Sequence, residues 1–149
     1  MSHEVINPAR LGEPKGWNNG MLAPAGGRIL FIAGQTAPRD ATGRVTTEGF
    51  VEQFAGALDA VLAVLTEAGG APEDIGRMTV FVTDMQAYKC SLRTLGRAYR
   101  ERMGRHYPAM ALLEVKGLVD DNALVEIEAT AVIPPPSHLQ APHRPPVQA

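Results

Sequence analysis

Two stretches decide the fold: PAMALLEV, Pro108–Val115, and ALVEIEAT, Ala123–Thr130. Each is short, apolar and bounded by a turn signal, proline before the first and VDDN (Val119–Asn122) between them, so each reads as a strand. The second stretch alternates and carries two acids, Glu126 and Glu128, two residues apart and therefore on one side of a sheet. Leu124 and Val132 share that parity. If the side faced core, two carboxylates would need partners, because a lone buried charge costs several kcal/mol. If it faced solvent, the apolar residues would be exposed with them. A functional cleft or a subunit interface resolves the conflict.

Working outward, RILFIAGQ (Arg28–Gln35) is a compact apolar run that follows the Gly26-Gly27 turn, ends in Gly34-Gln35 and reads as a buried strand, and RMTVFVTD (Arg77–Asp84) is β-branched and alternating. Between them the spacing changes. Val51, Phe54, Ala55, Leu58, Val61, Leu62 and Leu65 recur at three and four, which predicts a helix over 47–68, capped by Thr46 or Thr47. Gly49 and Gly56 weaken it unless something packs close to them. Gly69-Gly70 ends it. A second helix is predicted over 85–104, with Tyr88, Leu92, Leu95, Tyr99 and Met103 as its apolar stripe. Lys89, Arg93, Arg97 and Arg100 form a basic face beside it. The first 27 residues are rich in glycine, proline and asparagine and hold only short strands, around Val5 and from Trp17 to Ala23. The order is β-β-β-α-β-α-β-β. Strict alternation is missing, so the class is α+β: one sheet with two helices on one face. Residues 1–133 make one domain, and 134–149, with six prolines, read as a disordered tail.

The bulk composition excludes several classes of function. A chain of 149 residues with net charge −2 offers no field for nucleic acid or an anionic membrane. Its start, MSHEVINPAR, has no apolar leader, and no apolar run approaches the roughly 20 residues of a spanning helix. The single cysteine, Cys90, rules out an intrachain disulfide and suits a reducing, cytoplasmic setting. The four histidines (His3, His106, His138 and His143) have no metal-ligand spacing, so no metal or other cofactor is called for. None of Ser2, Ser91 and Ser137 sits in a nucleophile elbow.

Taken together, FIAGQ (Phe31–Gln35), the first long helix, MTVFVTDM (Met78–Met85), PAMALLEV and VEIEAT resemble the Rid family, also called YjgF-like or endoribonuclease L-PSP proteins. The resemblance covers roughly Val5 to Ile133. It implies a chorismate-mutase-like fold and a homotrimer with small-molecule clefts between subunits. It also implies hydrolysis of 2-imino or 2-enamino acids to release ammonia. In that family an arginine just after Pro-Ala grips the substrate carboxylate, and a glutamate in the VEIEA-like strand positions the attacking water. The glutamate matches Glu126, and the arginine position holds Met110. Ala33 and Gly34 stand where Ser-Gly is common, Leu112 where cysteine is common, and Trp17 matches the aromatic residue of the N-terminal segment. Loss of two charge-assisted hydrogen bonds, about 1.5 to 3 kcal/mol each, would weaken binding of a small imino acid by about two to four orders of magnitude. The sequence therefore points to a deaminase of a different, more apolar or neutral substrate, or to a non-catalytic trimeric binding protein. Ribonuclease activity ranks last, because no nuclease constellation is present. Arg105 and Lys116 are the candidate substitute cations.

Overall fold

The computed structural model describes residues 3–136. The chain forms β1 (Glu4–Ile6), β2 (Gly20–Leu22), β3 (Arg28–Gln35), α1 (Phe50–Glu67), β4 (Ile75–Val82), α2 (Met85–Cys90), α3 (Leu92–Met103), β5 (Ala109–Glu114) and β6 (Val125–Ile133). The α+β class and the strand–helix order agree with the sequence. The single sheet does not: β1 and β2 pair apart from a four-stranded sheet of order β3-β6-β4-β5. That sheet is mixed, with β5 parallel to β4 and the other pairs antiparallel. The segment expected as a strand from Trp17 contributes only Gly20–Leu22 to β2. Asn18 instead bridges to Ala109 on the free edge of β5.

The expected second helix is two helices. Ser91 ends α2, its N–H bonding to the Tyr88 carbonyl at 3.1 Å, and starts α3, its carbonyl accepting from the Leu95 N–H at 2.8 Å. Its φ of −108° and ψ of 7° break the helical run. Serine competes poorly for a helix interior. The apolar stripe keeps its three-and-four spacing through the break, so periodicity could not reveal it. At its start, α2 is capped by Asp84, whose carboxylate accepts from the Ala87 N–H at 2.9 Å. The first helix begins at Phe50 rather than at 47, because Gly49 holds φ of 87°, outside the right-handed region. Neither Thr46 nor Thr47 caps it. Gln53 does the tying instead. Its amide donates to the Thr47 and Asn122 carbonyls, at 3.0 and 2.8 Å, and accepts from the Leu124 N–H at 2.8 Å. Gly56 meets the condition set for it, since a Cβ there would lie 2.9 Å from the Ala37 Cβ.

The helices cover one face of the sheet. Leu58, Val61 and Leu65 of α1 and Leu95, Tyr99 and Met103 of α3 meet Met78, Val80, Val82, Val125, Ile127 and Ile133 from the strands, and all are buried. The alternate residues of the strands form the other face, which no helix among the described residues covers. Ile29 and Phe31 of β3 and Leu113 of β5 are 63, 79 and 45% exposed there. Among the described residues no helix is long and apolar enough to cross a membrane. Most of the expected tail, 137–149, lies outside the described residues.

Candidate functional site

The register assigns each candidate residue to a face. Glu126 pairs with Phe81, and Glu128 with Thr79. Both carboxylates therefore stand on the open face, beside Arg77, Thr79 and Phe81 of β4 and Ala109, Ala111 and Leu113 of β5. Met110 and Leu112 pair with Met78 and Val80, whose side chains are core, so they point to the helical side. The expected site thus divides. Glu126 lies on one face of the sheet, Met110 and Leu112 on the other, and one chain does not bring them together.

Glu126 rests on Gly34. A Cβ built on Gly34 would overlap the Glu126 Oε1 and lie 2.9 Å from its Cδ. A side chain at 34 would displace the carboxylate from this position. Among the described residues Glu126 has neither an ion-pair nor a hydrogen-bond partner, so both of its oxygens keep their acceptor capacity. Ala33 faces the same side of the sheet. It lines a depression of about 360 Å³ with Phe31, Arg77, Thr79 and Glu128. Glu128 and Arg77 are diagonal neighbours across β6 and β4, without ion-pair contact. Both acids thus lie on the face that no helix among the described residues covers, and Arg77 shares it.

On the helical side, Trp17 and Met110 meet at the edge of β5. The N-terminal segment is strapped there by Asn18, whose N–H donates to the Pro108 carbonyl at 3.1 Å and whose amide donates to the Tyr107 carbonyl at 2.6 Å. Asn7 locks the strap, donating to the Asn18 Oδ1 at 2.8 Å and accepting from the Asn19 N–H at 2.8 Å. Trp17, Met110 and Leu112 then wall a cavity of about 410 Å³ between α2, α3 and the β4–β5 edge. Tyr88, Leu92, Leu95, Tyr99 and Tyr107 complete the apolar surface, and Lys15 and Arg100 also line it. Tyr99 and Tyr107 stack with ring centroids 5.2 Å apart. The Tyr99 hydroxyl donates to the His106 carbonyl at 2.7 Å. Burial, and then the neighbouring Tyr107, push its phenol above the ordinary tyrosine range, so it stays a neutral donor. A shallower depression of about 220 Å³ shares Trp17 and Met110 with this cavity and reaches Arg77, Ala109 and Ala111 of the open face.

Sequence reasoning missed the cavity. It took Tyr88, Leu92, Leu95 and Tyr99 as helix stripe and Arg100 as part of a basic face, and both readings hold for a helix alone. The signal was the pair Tyr88 and Tyr99 on one stripe, with Tyr107 just ahead of a strand that carries Met110 and Leu112. The two substitute cations, Arg105 and Lys116, line none of these cavities, whereas Lys15, Arg77 and Arg100 do.

These features define a class: a mixed-sheet α+β protein with helices on one face and an acid-bearing, uncovered second face. The family profile described as endoribonuclease L-PSP matches residues 14–133. A RutC family protein of Synechocystis, slr0709, is 36% identical over 135 residues, 90% of this chain and 99% of its own length. The Escherichia coli protein TdcF, provisionally named a reactive intermediate deaminase, is 32% identical over 109 residues, 71% of this chain and 80% of its own length. Among solved structures, the Rid-family protein YyfB of Yersinia pestis superposes with a TM-score of 0.75 at 28% identity, covering 89% of this chain and all of YyfB. The structure of TdcF with bound serine gives a TM-score of 0.61 at 27% identity, covering 87% of this chain and 98% of TdcF. The chain belongs to the Rid/YjgF (endoribonuclease L-PSP) family.

Proposed function

We propose that the protein is a hydrolytic deaminase of a small enamine or imine metabolite other than 2-iminopropanoate, acting in clefts between the subunits of a homotrimer. The observation that carries this reading is the Glu126 carboxylate, unpartnered and seated on Gly34, while the arginine position of the family is filled by Met110 on an apolar wall. Glu126 would hold a water through one oxygen and take its proton as the water oxygen attacks the C=N carbon. That proton would pass to the imine nitrogen to give the neutral carbinolamine; Glu126 would then carry the carbinolamine hydroxyl proton to the same nitrogen as the C–N bond breaks, and a carbonyl compound and ammonia would leave. The exposed Ile29, Phe31 and Leu113 support assembly, because an uncovered sheet face with large apolar side chains wants a partner. Assembly is also what would carry the β5 edge of one chain, with Trp17 and Met110, to Glu126 of another.

The test is ammonia release across a panel of enamines and imines generated in situ. Turnover of at least one compound, lost in Glu126→Gln, is expected; no turnover anywhere in the panel sinks the reading. On 2-iminopropanoate the wild type should be near silent, with activity gained in Met110→Arg. A second reading, a non-catalytic trimeric binding protein, is favoured by the cavity beside Trp17. It predicts saturable quenching of the sole tryptophan by a ligand that is not turned over.

A further inference from the structure

We infer that the cavity between α2, α3 and the β5 edge binds a planar apolar molecule bearing one carboxylate, whose charge is met by Lys15 and Arg100. This deepens the proposed function by giving a substrate class to its cleft, and it rests on that reading only for turnover, not for binding. The volume, about 410 Å³, falls within the range of about 300 to 1,000 Å³ typical of small-molecule sites. The walls are mostly aromatic and aliphatic, and Tyr107, stacked flat on Tyr99, offers a planar surface.

The charge pattern selects the ligand. Two cations line the cavity and no acid does. Among the described residues, neither Lys15 nor Arg100 forms an ion pair or a side-chain hydrogen bond. By contrast, Arg39 and Arg102 are each paired with an aspartate. The Tyr88 and Tyr107 hydroxyls are likewise without partners among these residues, whereas that of Tyr99 is engaged. A cation-rimmed apolar slot with spare donors complements an anion attached to a flat apolar body. The cavity shares Trp17 and Met110 with the depression that runs round the β5 edge to Arg77. A ligand held there would present its free end at that edge. The cations have thus moved from the strand, where Met110 stands, to the N-terminal segment and α3, which lengthens the molecule that can be held.

The experiment is calorimetric titration of the full chain with 2-naphthoate and with its neutral isostere 2-naphthamide. The naphthoate should bind, and the amide at least about fivefold more weakly. Arg100→Gln and Lys15→Gln should each lower naphthoate affinity several-fold and leave the amide unaffected. Gly96→Leu should abolish both, because Gly96 lines the cavity inside α3. That variant should fold, since leucine is the better helix former and a Cβ there meets only the flexible end of Arg100, at 3.1 Å. Equal affinity for acid and amide would overturn the charge assignment and leave a site for a neutral molecule. Naphthoate binding that survives Gly96→Leu would place it elsewhere. No binding of either, as expected if a second copy of the chain fills the cavity, would overturn the inference entirely. Naphthoate binding unchanged in Glu126→Gln, with no compound ever turned over, would sink the deaminase reading and leave this one standing.

Discussion

Replacing Gly34 by alanine should separate catalysis from folding. The backbone of Gly34 is not in the left-handed region, so alanine is conformationally acceptable there, and the residue is exposed at the end of β3. The added Cβ would lie 2.9 Å from the Glu126 Cδ, where ordinary carbon–carbon contacts run about 3.5 to 4.0 Å. The carboxyl group must therefore retreat by roughly 1 Å, through a rotamer adjustment that costs about 0.5 to 1.5 kcal/mol. The fold should bear that cost with a small fall in Tm. Catalysis should not, since a displacement of about 1 Å in a positioned group can cost about 100-fold. The assay is ammonia release from a substrate turned over by the wild type, with kcat and KM resolved, beside thermal unfolding of the same preparations. The expected result is kcat down about 100-fold, KM little changed, and Tm within a few degrees. Wild-type kcat in Gly34→Ala would refute the placement of Glu126 over Gly34 as the feature that positions the water. A collapse of Tm would show that the glycine serves packing rather than the carboxylate.

Other outcomes follow from the same geometry. Phe31→Glu, on the open face and 79% exposed in the single chain, should leave the fold intact but shift the proposed trimer toward monomer in light scattering; a trimer that persists would move the proposed interface elsewhere. Gln53→Ala should destabilise by about 2 to 4 kcal/mol, because it strands the Thr47 and Asn122 carbonyls and the Leu124 N–H. Denaturant unfolding reads this directly, and a loss under about 1 kcal/mol would mean that water replaces the amide. Leu58→Ala, at a fully buried position of α1, should cost about 2 to 5 kcal/mol in the same assay.

Much of the fold is a local property of the chain. Arg28–Gln35 is a strand at the bounds its apolar run suggests, and the stripe from Phe54 to Leu65 buries the face that its spacing marks. The parity of Glu126 and Glu128, both on one side of β6, follows from a two-residue repeat that any extended strand obeys. The break at Ser91 could not be read, because the stripe runs through it in phase. Nor could the faces of different strands be related. Parity orders residues within one strand, whereas the pairing of Met110 with Met78 and of Glu126 with Phe81 is set by tertiary register. That register puts the acid and the methionine on opposite sides of the sheet. It also closes a tyrosine-lined cavity between α3 and β5, and it leaves the other face without a helix over it among the described residues. The sequence alone determined which residues are candidates for chemistry; the tertiary structure decided which of them can meet, because contacts between distant segments depend on packing that no local period encodes.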